Sequence, residues 1–177
     1  DICFVPDGKY SNLVRKLRPE SVQKGDIYHV DGSYLGEHNG IIDYTIGQRK
    51  GIRIGGRKDV TENDAKLYVI SIDEKKNKIV VGPKRYLSCD EFSINECNWI
   101  TDSDKNKFDA LVKLRNTAKP VQVKIQTDLE KSSASVMLKN PEFGISPGQA
   151  AVFYDLEDKN RVLGGGWIKS TKNYLNG

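Results

Sequence analysis

The chain is poor in the residues that build metal centres and disulfide frameworks. It has three cysteines, Cys3, Cys89 and Cys97, and only two histidines, His29 and His38, among 177 residues. No two cysteines are separated by just two residues, and an odd number without close pairs is not typical of a secreted disulfide scaffold. The composition therefore argues against a structural zinc site and favours a reducing compartment.

Long apolar stretches are also missing. No run approaches the roughly 20 residues that a membrane-spanning helix needs, and the first six residues are not followed by the hydrophobic segment of a signal peptide. Hydrophobic residues make up 37% and charged residues 29% of the chain, which is a globular composition. We therefore expect a cytoplasmic protein with no membrane partner, and we expect it to be a monomer.

The positive charge is unevenly distributed. The net charge is +4, and residues 1–86 hold 16 Lys and Arg against 12 Asp and Glu, whereas residues 87–177 hold 12 of each. Within the first half a ten-residue stretch carries five cations and no acid: Arg49, Lys50, Arg53, Arg57 and Lys58. Such a run can neutralise phosphates. A solvated loop is the alternative interpretation.

Most of the chain has the pattern of short strands and turns. One helix is predicted at residues 9–18, where Ser11 is a candidate N-cap and Pro19 follows the end. Strands are predicted at 25–30, 33–36, 67–72, 78–81, 92–100, 109–115, 120–127, 133–139, 149–154 and 161–168. The last six favour a small closed antiparallel barrel of Greek-key type. We predict a central β-domain at 21–84 and the barrel at 88–172.

Four motifs are more specific than this background. They are DICFVPDG at residues 1–8, LGEHNG at 35–40 with YTIGQRKG at 44–51, SPGQAAVFY at 146–154, and LGGG at 163–166. In this order and at these separations they resemble the C-terminal part of the tRNA-specific 2-thiouridylases, up to about residue 168. The resemblance implies a mostly β fold, with an SH3-like central domain before a six-stranded barrel similar to those of translation factors. It also makes residues 1–20 the junction with a nucleotide-binding domain.

The resemblance also implies a reaction. In that family, ATP with magnesium activates the 2-oxygen of the wobble uridine of tRNA, and a cysteine persulfide then delivers sulfur as AMP leaves. Cys3 lies in the motif that carries the persulfide, so the implied partners are tRNA and a sulfur-donor protein of a cysteine desulfurase relay. A thiolate can accept and pass on sulfane sulfur. Cys89 and Cys97 match no such position, and we interpret both as packing residues.

The family's ATP-binding motif has no counterpart in this sequence. Its pyrophosphate loop reads SGGVDS, whereas the glycine-rich stretches here, residues 55–56 and 164–166, lack the serine or threonine and the helix that cradle phosphate. We therefore expect a C-terminal fragment without the ATP pyrophosphatase domain. Such a fragment should bind no cofactor and should be inactive alone.

The resemblance implies tRNA contacts in the barrel. The family uses a basic–aromatic pair after a strand and the glutamine of a PGQ turn, which correspond to Arg115 with Asn116, and to Gln149. Asn116 stands where the family commonly has tyrosine, which leaves a stacking contact at this position open. A turn residue that caps the backbone is the alternative for Gln149. Arg49 and Lys50 are further candidates for phosphate contacts.

Two other interpretations remain open at this stage. The chain could be a non-catalytic RNA-binding module in which Cys3 is incidental. A cysteine-dependent hydrolase has less support, because neither His29 nor His38 has a discernible acidic partner in the sequence. For His38, which lies between Gly36 and Gly40, we favour a role in holding its loop through ring hydrogen bonds over a role as general base.

Overall fold

The computed structural model describes residues 23–54, 65–100, 106–115 and 118–173. Two compact units divide the chain, residues 1–86 and residues 87–177. The described residues contain ten strands and two short 3₁₀ turns, Ile41–Asp43 and Lys84–Leu87. The predicted helix at 9–18 lies outside the described residues.

The first unit contains a four-stranded sheet. Its strands are β1 (Gly25–His29), β2 (Tyr34–His38), β3 (Tyr68–Asp73) and β4 (Lys78–Gly82), in the order β2-β1-β4-β3. The β3–β4 pair is the predicted hairpin, and its polar turn is stabilised by Asp73, whose Oδ1 accepts the Lys76 N–H at 3.1 Å. The β1–β4 pair is parallel, which the local sequence pattern did not predict.

A small apolar core holds this sheet together. The side chains of Ile27, Val69, Ile79 and Val81 are fully buried, and they come from β1, β3 and β4. Complete burial of one such side chain contributes about 1.5–3 kcal/mol. The parallel pairing of β1 with β4 therefore brings together apolar residues that are about fifty positions apart.

The second unit is a closed barrel of six strands. These are β5 (Ser88–Trp99), β6 (Lys107–Lys113), β7 (Val121–Asp128), β8 (Ser133–Phe143), β9 (Ala150–Tyr154) and β10 (Val162–Asn173). They form the cyclic order β10-β5-β8-β7-β6-β9, and every neighbouring pair is antiparallel. Strands β6, β7 and β8 form a meander and β5 lies beside β8, which is a Greek key. The predicted mostly β fold with a six-stranded barrel is confirmed.

Alternating side chains fill the barrel interior. On β7, Val123 and Ile125 are buried whereas Lys124 and Gln126 are exposed, as the sequence pattern predicts. Phe153 on β9 is fully buried, and its ring centroid lies 5.5 Å from that of Trp99. The barrel therefore has a packed interior rather than a ligand-binding lumen.

Three strands are longer than their sequence pattern predicts. Strand β5 begins at Ser88 rather than 92, β8 continues to Phe143 rather than 139, and β10 continues to Asn173 rather than 168. Register shifts interrupt the β5–β8 and β5–β10 pairs. Such bulges let a long strand bend around a barrel, and they also break the alternation from which strand ends are predicted.

The glycine triplet of β10 permits close contact between backbones. A Cβ on Gly164 would lie 2.5 Å from the carbonyl oxygen of Asn98, and one on Gly165 would lie 2.7 Å from that of Ala151. Strand β10 thus has close backbone neighbours on both β5 and β9. Close approach of another backbone is one of the reasons for which glycine occurs inside strands.

Candidate nucleic-acid interface

Arg115 and Gln149 line the same groove on the barrel. Arg115 follows the end of β6 and Gln149 precedes β9, and because β6 and β9 pair antiparallel, these two ends lie side by side. The groove has a volume of about 380 Å³ and is lined by Lys113, Leu114, Arg115, Gln149, Ala150, Val152 and Tyr154. Two of these residues are cations and none is acidic. Both Arg115 and Gln149 also line an adjoining cavity of about 50 Å³, whose lining includes Lys119 and Glu142.

Backbone carbonyls fix the position of Arg115. Its Nη2 donates hydrogen bonds to the carbonyl oxygens of Phe143, at 3.3 Å, and of Gly144. A guanidinium has five N–H donors, so Nη1 and Nε keep donors for a ligand in the groove. The side chain is exposed and is held by the backbone that follows β8. Its guanidinium is therefore held in place with Nη1 and Nε each able to donate a single hydrogen bond to a phosphate oxygen.

Gln149 stabilises the turn that precedes β9. Its Oε1 accepts the N–H of Ser146 at 3.3 Å, and the positive φ of Gly148, 82°, closes the turn. Backbone hydrogen bonds then connect the turn to Ile168 on β10. The amide oxygen of Gln149 therefore caps the turn, as the alternative interpretation of this residue predicts. The Nε2 group makes no hydrogen bond within the described part of the chain, so two donors remain for a ligand.

A second basic cleft lies in the first unit. Its volume is about 280 Å³, and Arg49, Arg53 and Lys66 contribute the charged part of its lining. Lys50 is exposed beside it in sequence, whereas Arg57 and Lys58 lie outside the described residues. Gln48 shapes this segment: its Oε1 accepts the Thr45 N–H at 3.0 Å and its Nε2 donates to the Lys50 carbonyl at 2.9 Å.

His38 holds the LGEHNG segment against the β3–β4 turn. It is buried, its Nδ1 accepts the Gly40 N–H at 3.1 Å, and its Nε2 lies 3.1 Å from the Asn77 carbonyl oxygen. Asn77 in turn donates from Nδ2 to the Lys24 carbonyl at 2.8 Å. Both ring nitrogens are therefore used in structural contacts, which confirms the loop-holding interpretation over the general base.

We expect His38→Ala to destabilise the first unit by about 2–3 kcal/mol, because it leaves a buried N–H and a carbonyl unpaired and removes a ring. Both tryptophans belong to the other unit, so the measurement is hydrogen exchange at the β1 and β4 amides. The neighbouring exposed residue Glu37 is the control, and Glu37→Ala should change the free energy of opening by no more than about 0.5 kcal/mol. Equal exchange rates in the two variants would contradict a structural role for His38.

His29 corrects one expectation. Its Nδ1 lies 2.9 Å from Oδ2 of Asp31, so the expectation that neither histidine has an acidic partner is wrong. The pair arises locally, because Asp31 lies in the turn after β1 and also caps Ser33 through a hydrogen bond of 2.9 Å to its N–H. Cys3, the cysteine of the first unit, lies outside the described residues, so the His29–Asp31 pair does not test the hydrolase interpretation.

Cys89 and Cys97 have the environment of packing residues. Cys89 is buried and its Sγ lies 3.1 Å from the Glu91 carbonyl oxygen, and burial raises its pKa. Burial also raises the pKa of Cys97 to about 11. Both thiols are thus protonated at neutral pH and are poor nucleophiles. Cys3 and Asn116 lie outside the described residues.

Neither a metal cluster nor a membrane helix is found in the described part of the chain. No group of three or more His, Cys, Asp or Glu side chains there could hold a metal ion. No helix there has the length and apolar character needed to cross a membrane.

Two family models match the chain. A tRNA methyl transferase PRC-barrel domain matches residues 11–83, and an aminomethyltransferase beta-barrel domain matches residues 89–168. The two matches fall on the four-stranded sheet and on the closed barrel, respectively.

Curated relatives share close to half of the residues. The chain is 47% identical to the tRNA-specific 2-thiouridylase MnmA of Sphingopyxis alaskensis, over 97% of this chain and 41% of that protein. It is 47% identical to that of Roseobacter denitrificans, over 95% and 43%, and 46% identical to that of Rickettsia canadensis, over 95% and 43%. The chain thus spans about two fifths of the length of these relatives. It belongs to the tRNA-specific 2-thiouridylase family.

Proposed function

We propose that this chain supplies the tRNA-binding β-domains and the sulfur-carrying cysteine of a monomeric, cytoplasmic enzyme that thiolates the wobble uridine of tRNA at its 2-position. One observation supports the RNA-binding part: Arg115 and Gln149, 34 residues apart, meet in one groove, and none of the described residues that line it is acidic. Family membership supports the reaction class.

The groove has the chemistry that RNA requires. Lys113 and Arg115 provide two positive charges for phosphates, and the free donors of Gln149 can reach a ribose hydroxyl or a base edge. The second unit as a whole carries equal numbers of acidic and basic residues. The local segregation of charge at the groove, rather than net charge, is therefore what would attract the polyanion.

Arg49 and Lys50 belong to the same proposal. They are exposed, and Arg49 shares its cleft with Arg53 and Lys66. Arg49 and Arg53 can neutralise backbone phosphates at this cleft without reading sequence. We assign this cleft a role in tRNA affinity rather than in tRNA choice. Asn116 is assigned to the same interface as Arg115 only through its place in the family's motif.

Cys3 is assigned the sulfur transfer. Its thiolate attacks the outer sulfur of a persulfide on the donor protein, which leaves a persulfide on Cys3 and releases the donor's thiolate. The outer sulfur of that persulfide then attacks C2 of the activated uridine and AMP leaves. A second thiol, which the family resemblance places in the nucleotide-binding domain, attacks Cys3 Sγ, so that the S–S bond breaks, the 2-thiouridine is released and the two cysteines form a disulfide. The other two cysteines are disfavoured for this role because their burial keeps them protonated.

The glycine triplet of β10 does not fit a phosphate group. A Cβ on any of these three glycines would lie 2.5–2.8 Å from a backbone carbonyl oxygen of β5 or β9, and carbonyl oxygens repel phosphate. A phosphate cradle instead needs N–H groups at a helix N-terminus. Activation of the uridine is therefore assigned to a part of the whole enzyme other than these domains, and the chain by itself should not thiolate tRNA.

The proposal is tested by Arg115→Ala in a binding titration with a wobble-uridine tRNA transcript. Loss of one phosphate contact should weaken binding several-fold and reduce the slope of log affinity against log salt by about 1. Because Arg115 also bonds two carbonyls, thermal unfolding is measured in parallel. Arg115→Lys should restore part of the salt slope but not the full affinity.

Lys139 provides the matched control. It is an exposed lysine on β8, the strand opposite β9 in the cyclic order of the barrel, and it bonds Gln122 Oε1 at 3.0 Å. Lys139→Ala should leave both the affinity and the salt slope unchanged. If Lys139→Ala and Arg115→Ala weakened binding equally, the barrel would bind tRNA by diffuse charge and the groove would lose its assigned role.

A further inference from the structure

Trp167 is an exposed tryptophan beside the groove. Its side chain is 50% exposed on β10, whereas the only other tryptophan, Trp99, packs edge-on against Phe108 with ring centroids 5.5 Å apart. The Cα partner of Trp167 on β9 is Ala150, which lines the groove. A large ring in water at this place has no role in the barrel core, whose residues lie on the other face of the strand.

The neighbours of Trp167 toward the groove do not cover its ring. On β9 the residues Ala151 and Phe153 are fully buried, so Ala150, Val152 and Tyr154 lie on the outer face. Trp167 faces Ala150 there, and the residue two positions before it on its own strand is Gly165, whereas its partner on β5 is Asn95. Neither Ala150 nor Gly165 has a side chain long enough to lie over an indole. The side of the ring toward β9 and the groove is therefore available to a ligand.

Lys113, one of the cations of the groove, lies on the opposite side of β9 from Trp167. Val152 pairs with Gly165 on β10 and with Lys113 on β6, so Lys113 and Trp167 stand on the same outer face with β9 between them. Strands are spaced about 4.8 Å apart and residues rise about 3.4 Å along a strand, so the backbone positions of Lys113 and Trp167, two strands and two residues apart, are separated by about 12 Å. A nucleotide places its phosphate and its base on opposite sides of its sugar and can span such a separation.

We propose that Trp167 stacks on an unpaired base of the bound tRNA while Lys113 and Arg115 hold the adjacent phosphates. The inference rests on the proposed function and adds a residue and a mode of contact to it. Proteins recognise unpaired RNA bases by stacking them on aromatic rings. The cations and the absence of acidic residues in the groove lining favour a polyanion over a second protein as the occupant. Asn116 has no aromatic ring for such stacking, whereas Trp167 has one.

The first measurement is tRNA affinity. Trp167→Ala should weaken binding by about tenfold or more, equivalent to about 1.4 kcal/mol, and Trp167→Phe should keep most of the affinity because it keeps a ring. Met137 is the matched control: it is 55% exposed and lies on β8, opposite β9 in the cyclic order of the barrel. Met137→Ala should bind tRNA normally. Thermal unfolding of each variant shows whether a change in affinity reflects a loss of fold.

The second measurement needs no disruptive variant. In the unsubstituted chain, saturating tRNA should quench tryptophan emission and protect it from acrylamide. In Trp167→Phe, which retains only the core residue Trp99, tRNA should change neither. Because the chain has two tryptophans, the difference between the emission responses of the two proteins reports on Trp167 alone.

The outcomes separate this inference from the proposed function. If the unsubstituted chain does not bind tRNA, both the proposed function and the stacking contact are wrong. If tRNA binds but Trp167 remains open to acrylamide and Trp167→Ala binds normally, only the stacking contact is wrong. If Trp167→Ala instead abolishes a concentration-dependent self-association and leaves tRNA affinity intact, a second copy of the chain covers this ring and the inference is overturned.

Discussion

A Cys3→Ser variant of the complete enzyme is expected to form no 2-thiouridine while it binds tRNA with unchanged affinity. A serine hydroxyl is not ionised at neutral pH and cannot hold a sulfane sulfur, so the relay from donor to uridine is interrupted at its last protein-bound step. The measurement is the 2-thiouridine content of tRNA digests by mass spectrometry, with tRNA affinity determined on the same preparation. This variant has the largest expected effect on activity.

Cys97 is the matched control for this experiment. Burial raises the pKa of Cys97 to about 11, so its thiol stays protonated near neutral pH and is a poor acceptor of sulfur. Cys97→Ser should therefore thiolate tRNA normally. If Cys3→Ser also thiolated tRNA at the normal rate, Cys3 would not be the sulfur carrier. The chain would then be a non-catalytic RNA-binding module.

Gly164→Ala is expected to destabilise the barrel by about 4 kcal/mol, the largest stability effect among single substitutions considered. Gly164 has φ 155°, and a Cβ there would lie 2.5 Å from the Asn98 carbonyl oxygen and 2.7 Å from the Trp99 ring. Backbone strain and overpacking each cost about 1–3 kcal/mol. Thermal and urea unfolding, followed by tryptophan emission, measure the loss, which is large against a total stability of about 5–15 kcal/mol.

Gly148→Ala separates the two causes. Gly148 also has a positive φ, 82°, but a Cβ there would have no neighbour within 4 Å. The substitution therefore adds backbone strain without a clash and should cost about 1 kcal/mol. Equal losses of stability in the two variants would mean that strain alone explains the glycine at 164. The close approach of β10 to β5 would then not be what requires the LGGG motif.

The site residues show why sequence predicts identity more readily than arrangement. Arg115 and Gln149 are named by the motifs around them, but their shared groove depends on the β6–β9 pairing. The bond from Arg115 to the Gly144 carbonyl depends on where β8 ends, which the sequence pattern placed four residues too early. Trp167 lies just past the last motif, and only the pairing with Ala150 connects it to the groove.

What the sequence alone determined is local in origin. The alternation on β7, the polar turn of the β3–β4 hairpin and the motifs that indicate the family all depend on residues that are close in the chain, and each was read correctly. Periodicity and turn chemistry act over a few residues, so a single sequence expresses them directly.

The tertiary structure decided everything that requires distant strands to meet. The parallel β1–β4 pair, the bulges that extend β5 and β10, and the acid-free groove between β6 and β9 arise from the registers in which strands pair. Register is selected by the burial of whole faces at once, because a one-residue slip would turn every core side chain outward. That selection is a property of the assembled sheet and barrel, and no local window of the sequence contains it.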